Sequence, residues 1–185
     1  MRANDLKPGN AVDLDGQLWL CVKTEHTKPG KGGAFVQAKL KNVKTGTNVE
    51  KRFRSTDDID IVNLDRRELE YLYPEGTSAV FMDNESYEQA TLPDDVLGDA
   101  LLYVKENTTV TGLVYQGNVL TIELPAAVDL EVTDTAPQVK GATATNQLKE
   151  AELETGLKTR VPPFIENGQR VKVSTEDGSY LGKVN

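Results

Sequence analysis

The sequence contains one cysteine and one histidine in 185 residues, and these two shortages exclude several kinds of site. A lone Cys21 cannot form an internal disulfide or build a multi-cysteine metal centre. A lone His26 cannot supply the histidine pair of a zinc hydrolase, and it supports no convincing Ser–His–Asp arrangement. We therefore expect a protein with no catalytic residue, no bound metal and no other cofactor.

Long apolar runs are also absent from this sequence. No stretch of about 18 apolar residues exists, so we expect no transmembrane helix and no membrane partner. The first nine residues, Met1–Gly9, have no apolar region typical of a secretory signal. These two observations predict a cytoplasmic location.

Negative charge exceeds positive charge by 8, but the excess is unevenly distributed along the chain. Residues 1–62 carry 11 basic and 8 acidic side chains, and residues 63–126 carry 3 basic and 12 acidic ones. Residues 127–185 carry 7 basic and 9 acidic side chains. Such a chain can present one cationic end to a polyanion while its acidic middle limits non-specific adhesion. An ordinary lysine-rich solvated surface is the alternative interpretation of the same charges.

Short strands separated by turn residues dominate the pattern. Residues 11–22 form a predicted hairpin, because Asp15-Gly16 is the pair preferred in type I′ turns. Further hairpins are predicted over residues 69–82 and 109–124, and Asp94–Leu102 is the one plausible helical stretch. Strands of about five residues with turns every 8–12 residues indicate small β-barrels of the OB type.

The predicted fold is all-β, with three small barrels in series at residues 1–62, 63–126 and 127–185. In the first barrel we expect Trp19 and Phe53 to be core aromatics, and we expect Cys21 to pack as a small apolar side chain. Three such units in series predict an elongated molecule.

A glycine-rich loop, residues 27–35, lies between two predicted strands of the basic first unit. Pro29 and Gly30 favour a tight turn, while Gly32 and Gly33 allow close approach of a partner to the backbone. The loop therefore projects Lys31 without bulky neighbours. No Ser or Thr follows Lys31, so the loop is not a Walker A motif, and the spacing of its glycines does not fit a dinucleotide-binding fingerprint. Taken alone, a glycine-flanked lysine is typical of a flexible loop.

The loop is one of a series of short segments that recur in a known order along the chain. They are Leu6-Lys-Pro-Gly9, Lys28-Pro-Gly-Lys-Gly-Gly-Ala-Phe35, Lys39-Leu-Lys-Asn-Val-Lys-Thr-Gly46, Glu50-Lys-Arg-Phe-Arg-Ser-Thr56, Tyr73-Pro-Glu-Gly76, Phe81-Met-Asp83, Lys149-Glu-Ala151, Thr155-Gly156, Val161-Pro-Pro-Phe-Ile165, Gly168 and Gly178-Ser-Tyr180. With these segments the chain resembles the elongation factor P family of bacterial translation factors. The matches run in register along the whole chain, which makes them more specific than any one motif.

The resemblance implies an N-terminal SH3-like (KOW-type) barrel and two OB-fold barrels, in an L shape resembling a transfer RNA. It implies a monomer that binds the ribosome between the P and E sites. It also implies an enzyme that extends Lys31 with an amine-bearing group, so that Lys31 reaches the CCA end of the P-site tRNA. Peptide-bond formation is thereby stimulated where consecutive prolines stall the ribosome. The supporting loop residues are Lys28, Pro29, Gly30, Gly32 and Gly33.

Further candidate RNA contacts lie outside the loop. The sequence departs from the usual pattern of the family at two of these places. Ala142 stands where many members have an aspartate, which puts an Asp-dependent codon contact in doubt. Lys183 stands where arginine is usual, so the charge is kept and the guanidinium fork is lost. The candidate contacts are His26, Gly141, Thr143, Tyr180 and Lys183. The alternative for His26 is a loop histidine whose hydrogen bonds are satisfied within the protein. The alternative for Tyr180 is a half-buried tyrosine on a strand.

Three rival functions remain. An elongation-factor-P-like paralogue usually departs from the Pro29–Gly32 motif, which this chain retains. A generic OB-fold binder of single-stranded nucleic acid would interleave aromatic and basic residues, but aromatic residues make up only 6% of the chain. A hydrolase could use the carboxylates of Asp57–Asp60 or Asp94-Asp95, for which solvated surfaces are the simpler explanation.

For Arg66 and Arg67 we expect surface pairing with Glu68 and Glu70 rather than contact with RNA.

Overall fold

The computed structural model describes residues 1–138 and 147–185, which form three five-stranded antiparallel sheets. A short 3₁₀ turn, Ala3–Asp5, precedes the first sheet. The strand order in that sheet is β4-β3-β2-β1-β5. Its strands are β1 (Ala11–Leu14), β2 (Gln17–Thr27), β3 (Phe35–Asn42), β4 (Asn48–Arg54) and β5 (Asp60–Val62).

The second and third sheets share one topology. The second contains β6 (Asp65–Glu75), β7 (Ser78–Asp83), β8 (Gln89–Pro93), α1 (Asp94–Leu97), a 3₁₀ turn (Gly98–Leu102), β9 (Thr109–Tyr115) and β10 (Asn118–Glu123). The third contains β11 (Ala127–Thr135), β12 (Lys149–Leu153), β13 (Lys158–Val161), β14 (Arg170–Ser174) and β15 (Tyr180–Val184). Their orders are β10-β9-β6-β7-β8 and β13-β12-β11-β14-β15.

Each of these two sheets closes into a barrel because one long strand pairs with a different neighbour along each half of its length. In β11, the first half pairs with β14 and the second half pairs with β12, and β6 divides itself between β9 and β7 in the same way. The two free edges then approach each other, β8 against β10 and β13 against β15. This arrangement is the partly open five-stranded Greek-key barrel of OB folds. The predicted all-β fold class with three small barrels in series is confirmed, while the L-shaped outline stays a prediction.

Each barrel surrounds its own apolar core. Leu6, Val12 and Leu40 are fully buried in the first core with Phe53, and Trp19 packs at its margin partly exposed. Phe81 and Leu69 centre the second core, and Leu130 and Ile165 centre the third. In the first barrel, alternate side chains of β3 point into the core of that barrel, from Val36 to Asn42. The side chains between them, from Phe35 to Lys41, lie on the opposite side of the sheet, which we call the outer face.

The prediction of one continuous helix over residues 94–102 is wrong. An α-helical turn, Asp94–Leu97, ends at Gly98, and a 3₁₀ turn completes the segment. Gly98 has φ +55°, in the left-handed region that glycine adopts without steric cost, so the α-helix cannot continue through it. In the part of the chain that the structure describes, no helix is long and apolar enough to cross a bilayer.

Candidate RNA interface around Lys31

The Lys31 loop joins β2 to β3 at one end of the first barrel. Its base is fixed by the antiparallel ladder, in which Thr27 lies opposite Phe35 and His26 lies opposite Val36. Phe35 in turn pairs with Arg54 on β4. The backbone amide of Ser55 donates to the carbonyl of Ala34 at 2.9 Å, which ties the last loop residue to the sheet. The base of the loop is therefore held by the paired strands β2, β3 and β4.

Beyond this base the loop is open. Residues 28–33 are all exposed, and a side chain built on Gly30, Gly32 or Gly33 would meet no atom within 4 Å. Gly32 has φ +130°, which a residue with a side chain rarely adopts. Among the residues that the structure describes, the Lys31 ammonium has neither a hydrogen bond nor an ion pair. The loop thus presents a free primary amine to solvent.

Asp57, in the turn that follows β4, has local structural partners. Asp57 accepts a hydrogen bond from the backbone amide of Arg54 at 2.9 Å, and its carbonyl accepts another from Ala3 at 2.8 Å. Within residues 1–138 and 147–185, no cluster of three histidine, cysteine or acidic side chains could hold a metal ion. Asp57 therefore stabilises the turn after β4.

Cations are distributed very differently over the first two barrels. All three basic residues of the second barrel are paired: Arg66 with Glu123 at 2.7 Å, Arg67 with Asp83 at 3.3 Å and Lys105 with Glu154 at 3.4 Å. Of the 11 basic residues in the first 62 positions, Lys23 alone forms an ion pair with a described residue, Glu25 at 3.3 Å. Of these two barrels, the one that carries Lys31 is thus the one with unneutralised positive charge.

Surface pairing of Arg66 and Arg67 was expected and is found, but the expected partners are wrong. Glu68 lies on the same strand as the two arginines, whereas cross-strand neighbours lie closer to their guanidinium groups. The bond from Arg66 to Glu123 raises the arginine pKa. The pKa of Asp83 is lowered by hydrogen bonds from the backbone amides of Ser86 and Glu85, and then by Arg67.

The other candidate contacts fall into separate places. His26 is exposed on β2, one residue before Thr27 at the base of the loop. Tyr180 and Lys183 lie on β15 in the third barrel, where Tyr180 is half-buried against the core and Lys183 is exposed. Gly141, Thr143 and the substituted Ala142 lie outside the described residues.

Sequence reasoning missed an aromatic–arginine contact beside the loop. The Cζ atom of Arg52 lies 4.0 Å from the ring centroid of Phe35, the first strand residue after the loop. The alternation in Lys51-Arg-Phe-Arg54 was a signal that Arg52 and Arg54 share one face. Their relation to Phe35 depends on the β3–β4 register, which composition does not give.

Three family models match the chain, each over one of the sheets described above. An elongation factor P (EF-P) KOW-like domain matches residues 2–59, an elongation factor P OB domain matches residues 64–122, and an elongation factor P C-terminal model matches residues 128–183. The chain is 46% identical over 181 residues to elongation factor P of Leifsonia xyli subsp. xyli, covering 98% of this chain and 97% of that one. It is 49% identical over 181 residues to elongation factor P of Frankia casuarinae, with the same coverage of 98% and 97%. A solved structure titled eukaryotic translation initiation factor 5A from Methanococcus jannaschii matches at 22% identity and a TM-score of 0.45, covering 66% of this chain and 92% of that one.

Proposed function

This chain belongs to the elongation factor P family of translation elongation factors, and from that premise we propose that it binds the ribosome between the P and E sites. The first barrel faces the acceptor end of the P-site tRNA, and Lys31 approaches its CCA terminus. The single observation that supports this orientation most directly is the free Lys31 amine on an open loop of the barrel with unpaired cations. The cations of the second barrel are paired with carboxylates, which favours the same orientation of the chain, with the first barrel toward the tRNA end.

Lys31 acts by positioning rather than by acid–base catalysis, and the protein is not an enzyme. Its four-carbon stem carries a compact charge into a narrow RNA channel, where it pairs with phosphate. A lysine-modifying enzyme lengthens this side chain with an amine-bearing group, which extends its reach and keeps the cation. Proline is a poor acceptor nucleophile on a rigid ring, so the geometry of the reacting ends limits the step. Ordering of the peptidyl-tRNA end lowers that barrier through proximity.

The rest of the chain supports this placement. We propose three domains, residues 1–62, 63–126 and 127–185, and a factor that works as a cytoplasmic monomer. A symmetric dimer would block insertion beside the tRNA. His26, Lys28, Pro29, Gly30, Gly32 and Gly33 shape the contact around Lys31, while Gly141, Thr143, Tyr180 and Lys183 contribute contacts from the third domain.

The test is reconstituted translation of a message encoding Pro-Pro-Pro, with natively modified protein and with Lys31→Ala. We expect native protein to relieve the stall and Lys31→Ala to lose that activity. Lys44→Ala is the matched control, because Lys44 is an exposed lysine in the turn at the other end of β3. Thermal unfolding of both variants should resemble that of the native protein, since neither side chain is buried.

Three results would contradict the proposal. Full rescue by Lys31→Ala would show that the amine is not the acting group. No rescue by natively modified protein on ribosomes of the same source would show that this chain does not relieve proline stalls. Equal losses in Lys31→Ala and Lys44→Ala would indicate a general effect of surface charge instead of a contact made by the loop.

A further inference from the structure

Arg52 is held against an aromatic ring at the foot of the Lys31 loop. It lies opposite Gln37 across the β3–β4 ladder, and Phe35 is the diagonal neighbour on the same outer face. Diagonal cross-strand neighbours are within reach of long side chains and aromatic rings. The 4.0 Å between the Arg52 Cζ atom and the Phe35 ring centroid is a van der Waals contact. Arg52 is therefore positioned by the ring, although it lies on an exposed strand.

The acidic side chains of this face are already engaged by other residues. Residues 21–54 contain two acidic side chains, Glu25 and Glu50. Glu25 pairs with Lys23 at 3.3 Å, and Glu50 accepts a hydrogen bond from the Gln37 amide at 3.2 Å. Among the described residues, the guanidinium of Arg52 has no hydrogen-bond or ion-pair partner. Its N–H donors are free for a ligand from outside the chain.

The neighbouring position on the same strand provides a natural comparison. Lys51 also carries one positive charge and is exposed, but it lies opposite Ala38 and so belongs to the other face of the sheet. Its Nζ atom lies 5.8 Å from the ring centroid of Phe53, a longer contact than that of Arg52. Arg54, opposite Phe35, shares the outer face with Arg52.

A guanidinium supported on one side by a ring matches a phosphate group well. Arginine presents five N–H donors in a planar fork that binds two oxygens of one phosphate, and its pre-organisation reduces the entropy lost on binding. We infer that Arg52, positioned by Phe35, binds a backbone phosphate of RNA next to the site where Lys31 enters. This inference rests on the proposed function, because it names a further contact of the same surface.

RNA fits this surface better than an acidic protein does. The cations around Arg52 are spread along the loop and the outer face, at Lys28, Lys31, Lys39 and Arg54. A line of free cations suits a chain that carries one phosphate per nucleotide. Among the exposed apolar side chains of the described residues, none belongs to the outer face of β3 and β4, where a protein interface would require an apolar centre.

The experiment measures affinity for ribosomes carrying P-site tRNA at several KCl concentrations. Arg52→Gln and Lys51→Gln each remove one charge from adjacent positions of β4, on opposite faces. We expect Arg52→Gln to bind about tenfold more weakly and to lower the slope of log K against log salt by about 0.7–0.9, as for one lost phosphate contact. Lys51→Gln should change affinity by less than about twofold, as expected for an exposed charge with no direct contact.

Three further variants separate the position of Arg52 from its charge. Phe35→Leu keeps the charge of Arg52 and removes its support, so we expect weaker binding with a nearly unchanged salt slope. The double variant Phe35→Leu/Arg52→Gln should bind no more weakly than Arg52→Gln alone, because the ring acts through the arginine. Arg52→Lys should keep the slope and lose part of the affinity, since ammonium lacks the fork.

The outcomes distinguish this inference from the function on which it rests. If native protein neither binds these ribosomes nor relieves the Pro-Pro-Pro stall, the proposed function fails. If native protein does both and Arg52→Gln behaves like Lys51→Gln, only the Arg52 contact is refuted. A loss of affinity in Arg52→Gln with an unchanged salt slope would also refute it, because a purely structural role or a contact with protein would explain that result.

Discussion

Cys21 shows how burial changes the chemistry of one residue. It is 1% exposed in the first core, and desolvation raises the pKa of its thiol from 9.0 to about 11. The folded state therefore prefers the neutral thiol, and the stability that this preference contributes is fully present below pH 9 and lost as the pH rises towards 11. A shift of this size corresponds to about 2–3 kcal/mol.

We expect the free energy of unfolding to fall more steeply between pH 9 and pH 11 in native protein than in Cys21→Ala. Urea unfolding at several pH values measures both slopes. The alanine variant will start from a lower stability because it leaves a small cavity, so the comparison concerns the slope. Burial also raises the pKa of Tyr71 and Tyr103, but these groups act equally in both proteins. Parallel curves would show that the thiol is not the titrating group.

The residues of the candidate interface were predictable to different extents. Lys31 was identified from its glycine flanks and the family resemblance, because an exposed loop needs no tertiary partner to be recognised. The contact between Phe35 and Arg52 was missed, because it joins two strands through their register. The same limit explains why Arg66 was expected to pair with Glu68, whereas its partner is Glu123 on another strand.

One type of turn recurs in all three barrels. Asn42, Asp83 and Ser174 each accept hydrogen bonds from nearby backbone amides through their side chains. In each case the carbonyl of that residue also accepts a bond from the amide four residues later, which has a positive φ. Those later residues are Gly46, Tyr87 and Gly178, with φ of +72°, +60° and +76°.

Contacts between barrels explain why two of these turns contain glycine. A Cβ on Gly46 would overlap the carbonyl oxygen of Asp95 in the second barrel. A Cβ on Gly178 would lie 3.2 Å from the hydroxyl of Tyr103. Tyr87 is 72% exposed, so its turn meets no neighbour and accepts a side chain at the usual cost of a left-handed residue.

Gly46→Ala should therefore be more destabilising than an equivalent change in an open turn. We expect a loss of about 3 kcal/mol or more, because both the left-handed backbone and the overlap with a carbonyl oppose the methyl group. Gly16→Ala is the matched control: Gly16 has φ +78° with nothing within 4 Å, so about 1 kcal/mol is expected. Denaturant unfolding measures both values. Equal losses would show that the contact with Asp95 does not constrain the turn.

Strands joined by a recognisable turn were predicted well, and very short strands without such a turn were not. Asp15-Gly16 was predicted to be a type I′ turn, and both residues have the positive φ that this turn requires. The short strands β5, β8 and β12 were among those not predicted. Leu92 is the one buried residue of β8, and β12 buries Ala151 and Leu153 alone. Such segments become strands because longer neighbours offer open edges, and this information lies outside the segment itself.

The charge pattern of the whole chain becomes meaningful once the pairs are known. Sequence counts gave an acidic middle and a basic first unit, which also fitted an ordinary solvated surface. The structure adds that all cations of the second barrel are neutralised by neighbouring carboxylates. Those of the first barrel, other than Lys23, have no ion pair among the described residues. Between these two barrels, the first is thus the one that offers free positive charge to a polyanion.

Neighbouring barrels share buried apolar contacts. Ala11 of the first barrel is buried together with Leu64 and Leu113 of the second. Tyr103 follows the 3₁₀ turn of the second barrel, yet its ring belongs to the core of the third with Leu130 and Val173. The hydroxyl of Thr155 also donates to the carbonyl of Leu102 across this junction.

Tyr103→Ala should therefore destabilise a barrel to which residue 103 does not belong in sequence. We expect a loss of about 3–5 kcal/mol, as for other large-to-small core changes, with amide protection falling most in residues 127–138 and 147–185. Tyr87→Ala removes the same aromatic group from an exposed turn and should change stability by about 0.5 kcal/mol or less. Hydrogen exchange of the full-length variants locates the effect. A loss of protection confined to residues 65–123 would mean that Tyr103 stabilises the second core, and the third barrel would then fold without its neighbour.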